Sequence, residues 1–226
     1  MTRLPARSGA DIHLADAFER PGCPICRELD RGEAAYLESL LAESVNDVGF
    51  RATLDAARGF CAAHSRAVLE TDRRRSGTLG AAILLRATLM TRLRDLEAAH
   101  VARGRSRSRR LAEAARPPAC LACARIARNA DGLLDGLAAQ VGDPAWANAV
   151  EAAPFCLEHL LGLLARRPAT GSWGETEDRQ LGRLRDLAEA LARFAHASSH
   201  DRAHLQTDEQ RASVDAAADL LGGGRS

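Results

Sequence analysis

Apolar residues recur at helical spacing along most of the chain, and this pattern predicts a protein built of α-helices. Between residues 25 and 45 the apolar positions share one helical face: Leu29, Tyr36, Leu37, Leu40, Leu41 and Val45. Comparable patterns, interrupted by Gly, Pro, Asn or Asp, predict further helices over about 10–20, 47–57, 61–71, 78–101, 175–200 and 208–220. Ala and Leu are abundant, whereas aromatic and β-branched residues are scarce, which also favours helix over sheet. We therefore expect an all-α fold.

The same order of signals occurs twice, which indicates an internal duplication of a unit of about 95 residues. Shifts of 97 and 95 residues superimpose equivalent positions: Cys23 on Cys120, Cys26 on Cys123, Cys61 on Cys156 and His64 on His159. We expect two tandem helical repeats with pseudo-twofold character. The predicted segments are an N-terminal segment (1–18), repeat 1 (19–102), an Arg-rich linker (103–116), repeat 2 (117–200) and a C-terminal helix with a disordered tail (201–226).

All six cysteines fall in four short motifs: Cys23-Pro-Ile-Cys26, Phe60-Cys61-Ala-Ala-His64, Cys120-Leu-Ala-Cys123 and Phe155-Cys156-Leu-Glu-His159. A CxxC turn places two thiolates close enough for one ion, and positions i and i+3 of a helix share a face. Each CxxC with the FCxxH that follows it would make a Cys3His set, which fits tetrahedral Zn²⁺. We therefore predict two Zn²⁺ ions per chain, held by Cys23, Cys26, Cys61 and His64 and by Cys120, Cys123, Cys156 and His159.

The number of residues between the CxxC and the FCxxH motif of each predicted site suggests which structure the ion would hold together. Between Cys26 and Cys61 lie 34 residues, and between Cys123 and Cys156 lie 32. This separation suits a long helix followed by a shorter returning helix, so the ion would close a helical hairpin. Cys61 and Cys156 are expected near helix N-termini, where the dipole favours thiolate. Arg27 and Arg125 either offset the charge of each centre or are ordinary solvated arginines.

Other chemistries of the cysteines remain as alternatives. An iron–sulfur cluster could use Cys3His ligands, although sets of four cysteines are commoner. Arg27 follows Cys26, so the motif is not the CxxCH of haem attachment. No strand-rich pattern surrounds either CxxC, which disfavours a thioredoxin-like oxidoreductase, and reduced thiols of a cytoplasmic protein disfavour a disulfide scaffold.

The region around the first two motifs resembles an uncharacterised bacterial domain-of-unknown-function family. The resemblance rests on Gly22-Cys-Pro-Ile-Cys26, on the Val45-Asn-Asp47 stretch after the long helix, and on Gly59-Phe-Cys-Ala-Ala-His64 before a helix with Gly-x-x-Gly. It covers about residues 18–100 well and the second repeat more loosely. Cys120-Leu-Ala-Cys123 lacks the proline, and Pro154 replaces the glycine before Phe155. The resemblance implies the metal sites and no reaction.

Composition limits the partners and the location that we expect. Formal net charge is +1 and all basic charge is arginine, so charge predicts neither a nucleic-acid nor a membrane partner. No apolar run reaches the roughly 18 residues of a membrane span, and the N-terminus lacks a signal-peptide core. A cytoplasmic protein is expected. The arginines of 103–110 have no aromatic neighbours for stacking bases, which favours a solvated linker over a phosphate contact.

Two smaller features of the sequence have a simple structural interpretation. His196, His200 and His204 form a helical stripe that could bind a metal, but a solvated helix end is favoured over such a site. Phe60, Phe155, Trp146 and Trp173 are expected to pack beside the metal sites or in the core.

Two classes of function remain, and the sequence indicates no substrate or pathway. The preferred class is a zinc-binding scaffold or binding protein with an unknown protein or small-molecule partner. The alternative is a redox- or metal-responsive protein or enzyme that uses iron–sulfur or labile zinc-thiolate centres.

Overall fold

The computed structural model describes residues 4–5, 9–75, 77–166, 173–197 and 207–222. These residues form α-helices and no strand, which confirms the all-α fold. The helices are α1 (Gly9–Phe18), α2 (Pro24–Ser39), α3 (Val48–Ala56), α4 (Ala62–Arg75), α5 (Leu79–Val101), α6 (Gly104–Ala114), α7 (Leu121–Gln140), α8 (Pro144–Ala152), α9 (Leu157–Leu164), α10 (Trp173–Ala197) and α11 (Asp208–Gly222).

Most predicted helices lie close to the observed bounds, but two segments differ. A π-helical turn, Leu40–Ser44, continues α2. The Arg-rich segment 103–116, expected to be a linker, contains α6, which packs on α5 while keeping its side chains solvated. Arginine is a good helix former, so charge alone did not prevent a helix there. The predictions for His200, His204 and the tail after Gly222 lie outside the described residues.

The chain divides into two compact units, of which unit 1 is made of two separate segments and unit 2 of one continuous segment. Unit 1 contains 1–30 and 130–226, and unit 2 contains 31–129. Both α2 and α7 therefore begin in one unit and end in the other. The predicted repeats, 19–102 and 117–200, are segments of sequence, and the duplication and its pseudo-twofold character stay predictions.

Unit 2 has a core of leucines and valines from α2 to α5 and from the start of α7. Leu37, Leu54, Val68 and Leu84 are among its most buried members. Along α2 and α7 the neighbouring positions run in opposite directions. The guanidinium of Arg125 lies over the Tyr36 ring, 4.9 Å from its centroid, and a Cβ on Gly32 would lie 3.7 Å from Asn129 Nδ2. The two helices are therefore antiparallel within unit 2.

A glycine fixes the turn before the first FCxxH motif. Gly59 has φ +90°, and a Cβ there would lie 2.2 Å from Thr88 Cγ2 on α5. Only glycine adopts this conformation without strain and leaves room for Thr88. The turn packs against α5 and sends Phe60 into the core of unit 2.

Unit 1 buries large residues of α7, α8 and α9. Leu137, Trp146, Val150 and Leu163 are almost fully buried. The ring of Phe18, at the end of α1, makes an edge contact with Trp146 at 5.7 Å between centroids, so α1 packs on this core.

Two features of the fold bear on predicted roles. Phe60, Phe155, Trp146 and Trp173 are all buried, as expected for core residues. None of the described helices is long and apolar enough to cross a membrane.

Candidate metal centres

Unit 1 brings together Cys23, Cys26, Cys156 and His159, a group that we call cluster A. Cys23 and Cys26 come from the start of α2, and Cys156 and His159 from the start of α9. The His159 Nδ1 atom lies 3.6, 3.3 and 3.1 Å from the sulfurs of Cys23, Cys26 and Cys156. The Cys26 and Cys156 sulfurs are 3.7 Å apart. All four residues are buried.

Unit 2 brings together Cys61, His64, Cys120 and Cys123, which we call cluster B. Here α4 supplies Cys61 and His64, and the start of α7 supplies the CxxC pair. The His64 Nδ1 atom lies 3.0, 3.5 and 3.3 Å from the sulfurs of Cys61, Cys120 and Cys123. The Cys61 and Cys123 sulfurs are 3.7 Å apart. Cys123 is exposed and Cys61 is half-buried, so this cluster lies nearer to solvent.

The structure contains two Cys3His groups as predicted, but the pairing of the motifs was wrong. Each CxxC was expected to meet the FCxxH of its own repeat. Instead, Cys23 and Cys26 meet Cys156 and His159, and the first FCxxH meets the second CxxC. All eight candidate ligands are therefore clustered, in exchanged pairs.

Helix lengths explain why the motifs within one repeat do not meet. The 16 residues of α2 carry the chain about 24 Å from Cys23, and the π-helical turn carries it further. The nine residues of α3 span only about 14 Å, so they cannot return Cys61 to the start of α2. Because α7 runs antiparallel to α2 in unit 2, the start of α7 supplies the CxxC of cluster B instead.

The spacing of donor atoms suits a single tetrahedral ion. With Zn–S bonds of about 2.3 Å and Zn–N bonds of about 2.05 Å, tetrahedral geometry places sulfurs about 3.8 Å apart and sulfur and nitrogen about 3.6 Å apart. The Cys26–Cys156 and Cys61–Cys123 sulfur distances are both 3.7 Å, and the S···N distances run from 3.0 to 3.6 Å. In each cluster all the donor atoms lie within 4.8 Å of one another. Either cluster could hold one metal ion.

Every motif lies at a helix N-terminus. Cys156 is the N-cap of α9, and Cys61 directly precedes α4. The Cys61 sulfur accepts from the His64 backbone N–H at 3.5 Å. Cys23 and Cys120 directly precede α2 and α7. Two positive dipole ends therefore converge at each cluster and favour thiolate there.

The sulfurs of cluster A share their protons unequally. Hydrogen bonds from the Cys156 and Cys26 thiols lower the pKa of Cys23 to about 3, against the opposing effect of burial. The pKa of Cys26 is raised, because its thiol donates to Cys156 and Cys23 and because it is buried. The hydrogen bonds therefore favour the thiolate at Cys23 and the protonated thiol at Cys26.

In cluster B the sulfurs also differ in how strongly they hold a proton. Burial raises the pKa of Cys61. Hydrogen bonds with the His64 backbone N–H, the His64 side chain and the Cys123 thiol outweigh this effect and lower the pKa to about 7, below the ordinary value of a thiol. Burial and hydrogen bonds with Cys120 and Cys61 raise the pKa of Cys123 to about 12. Cys123 therefore keeps its proton at neutral pH until a metal displaces it.

A carboxylate completes the surroundings of cluster B. The Nε2 atom of His64 lies 3.2 Å from Glu33 Oε1. When Nδ1 faces the metal, Nε2 keeps its proton and donates it to Glu33, which fixes the tautomer and the ring orientation. Glu33 was not among the predicted site residues. The shift of 97 residues aligns it with Ala130, so comparison of the repeats gave no signal for it.

The two arginines near the CxxC motifs have different surroundings. Arg125 is stacked on Tyr36, as described above. Arg27 lies against Gly22, whose Cβ would be 3.5 Å from an Arg27 Nη atom. Neither arginine forms a hydrogen bond to a cluster sulfur. If these arginines offset the negative charge of the thiolates, they would do so through longer-range electrostatic attraction.

We predict that Glu33→Ala weakens metal binding at cluster B by about 10- to 100-fold, because His64 loses the acceptor that orients it. Competition with a chromophoric chelator measures this loss. Glu38→Ala changes an exposed carboxylate on the same helix and serves as the control. Equal affinities in both variants would contradict the role of Glu33, and cluster A should be unchanged in both.

Metal affinity should fall as pH falls, because metal must displace the protons of Cys26 and Cys123. Each displaced proton weakens apparent affinity by about tenfold for every pH unit of acidification. Cys61 adds to this dependence as the pH drops below about 7, where its thiolate becomes protonated. Zinc titration in weakly buffered solution near neutral pH should release at least one proton per ion, and no release would refute the assignment.

Comparisons with known proteins give a family and no activity. Neither the search of curated proteins nor that of solved structures found a match. The model of a family of unknown function, DUF6062, matches residues 8–178, a span that includes both clusters. Since this match covers well over half of the chain, the protein belongs to the DUF6062 family.

Proposed function

We propose that the protein is a zinc-binding helical scaffold with one Zn²⁺ in each Cys3His cluster. The observation that carries this proposal is the donor geometry, in which three sulfurs and one imidazole nitrogen in each unit surround a single ion-sized position. Four protein ligands fill a tetrahedral shell and leave no position for substrate, which is typical of structural zinc. Reduced thiols of this kind suit the cytoplasm.

The spacing also favours one ion over an iron–sulfur cluster. In a [2Fe–2S] or [4Fe–4S] cluster the protein ligands bind different iron atoms, with inorganic sulfide between them. Donor atoms that all lie within 4.8 Å of one another leave little room for several irons and sulfides.

Zinc at these positions would link distant parts of the chain. In cluster A the ion would join residues on α2 and α9 that are 130 positions apart or more. In cluster B it would join α4 to α7 across about 60 positions. Closing such long loops constrains the unfolded chain, so zinc binding would add directly to folding stability. The stabilised helices would then present a surface to a protein or small-molecule partner.

A second candidate function applies to cluster B alone. Its Cys123 is exposed and its Cys61 is half-buried, whereas every ligand of cluster A is buried. Accessible zinc-thiolates react with oxidants and chelators more readily than buried ones. Cluster B could therefore act as a labile, metal- or redox-responsive centre while cluster A remains structural.

Elemental analysis and an absorption spectrum of anaerobically purified protein test the zinc proposal. We expect two zinc ions per chain and no visible absorption band, since Zn²⁺ is a d¹⁰ ion. Iron with sulfide, and a visible band, would instead support the iron–sulfur alternative. Cys156→Ser and Cys123→Ser should each remove about one zinc, and unchanged metal content in both variants would refute the ligand assignment.

The same variants separate the two candidate roles of cluster B. In Cys156→Ser the remaining zinc is in cluster B, and in Cys123→Ser it is in cluster A. We expect hydrogen peroxide to release zinc faster from Cys156→Ser, with a chromophoric indicator as the readout, because exposed thiolates are oxidised first. Equal release rates would leave cluster B structural, like cluster A.

A further inference from the structure

Unit 1 contains a cavity beside cluster A that the metal sites do not explain. Its volume is about 700 Å³, within the range of about 300–1,000 Å³ typical of small-molecule sites. Residues at the starts of α2 and α9 line it together with residues of α10 and α11. The sulfur-bearing residues Cys23, Cys26 and Cys156 line the same cavity.

One wall of the cavity is apolar. It is formed by Leu160 on α9, Leu184 and Leu187 on α10, and Leu220 on α11. These leucines come from three helices, and all but Leu160 are partly accessible. A hydrocarbon group in the cavity would cover them and gain the free energy of removing their apolar surface from water.

Arg27 is a charged residue on the lining of the cavity. Its side chain is half-buried, and its Nε atom is buried without a hydrogen-bond partner. Since the Nε atom is itself closed off, a ligand in the cavity would pair with the Nη groups of the guanidinium. A carboxylate matches the guanidinium best, because its two oxygens can accept two parallel hydrogen bonds.

The other polar groups on the lining already have partners or lie in solvent. The Gln180 amide donates to the backbone oxygen of Val150 at 2.8 Å. Arg183 donates to the backbone oxygens of Ala152 and Ala153, at the end of α8. Asp30 and Asp219 are exposed, so water screens their repulsion of an anion. Arg27 is thus the charged group best placed to fix a ligand.

We propose that this cavity binds an amphipathic monocarboxylate, with the carboxylate on Arg27 and the hydrocarbon body along the leucines of α9, α10 and α11. The proposal goes beyond the zinc scaffold, because its polar and apolar contacts do not depend on which metal occupies cluster A. A bound ligand would lie against the sulfurs of cluster A, so the spectrum of a metal there reports on its presence.

Calorimetric titration of the purified full chain with sodium octanoate tests the proposal, with octan-1-ol and octylammonium as probes of the same chain length. Octanoate should bind more tightly than both, because only its head group pairs with a guanidinium. Octylammonium binding as tightly as octanoate, or no octanoate binding up to millimolar concentrations, would overturn the proposal.

Variants then assign the site. Arg27→Gln should weaken octanoate binding by roughly tenfold or more, the loss expected for a charge-assisted hydrogen bond. Arg125→Gln, which also follows a CxxC motif but belongs to unit 2, should leave the affinity unchanged. Circular dichroism and metal content of each variant show whether it folds. Equal affinity in a folded Arg27→Gln would refute the role of Arg27.

Leu187→Gln tests the apolar wall separately. It should weaken octanoate binding while preserving the preference for octanoate over octylammonium, since Arg27 is intact. In Co²⁺-substituted protein, octanoate should shift the visible spectrum of the ion in cluster A. Retention of that shift in Cys123→Ser, which keeps only cluster A, locates the ligand, and a shift seen only in Cys156→Ser would contradict the location.

Discussion

The structure depends on bringing three thiols and one imidazole within 4.8 Å of one another in each unit. Such a group is costly to assemble, because sulfur anions repel and because burial disfavours them. Two features reduce the cost. Each cluster lies where two helices begin, so backbone N–H groups face the sulfurs. Protons are also divided unequally, as the low pKa of Cys23 and the raised pKa of Cys26 show. A divalent ion in place of those protons would relieve the remaining repulsion.

This constraint determines how the chain runs through the two units. A CxxC motif at a helix N-terminus requires a second helix N-terminus nearby that carries Cys and His at i and i+3. Because α3 is far shorter than α2, the first FCxxH lies beside the middle of α2, where Glu33 contacts His64, rather than at its start. Antiparallel packing of α7 in unit 2 then brings Cys120 and Cys123 to Cys61 and His64. The result is two compact units, each of which contains parts of both predicted repeats.

Much of this could be predicted from the sequence, and the errors have physical causes. The helical periodicity predicted seven of the eleven described α-helices, α1 to α5, α10 and α11, and the four motifs identified all eight clustered residues. Their pairing could not be read from motif spacing, because spacing along the chain does not say which helix packs beside α2. The helices predicted over 25–45 and 47–57 are about 20 and 10 residues long. The second is too short to return the chain to the start of the first, so these lengths already conflicted with a closed hairpin. Glu33 was missed since an acidic residue on an amphipathic helix is usually a solvated one, and only the fold places it at His64 Nε2.

The two clusters have similar donor geometry, yet their surroundings differ in ways that bear on function. Cluster A is buried, and its three cysteines line the same cavity as Arg27. Cluster B has an exposed sulfur at Cys123 and a carboxylate behind His64. Donation to Glu33 would hold the imidazole in position, which would favour retention of an ion. Exposure of Cys123 favours exchange. Cluster B therefore combines an oriented histidine with an accessible sulfur, an arrangement that would let a bound metal leave while the ring stays in position.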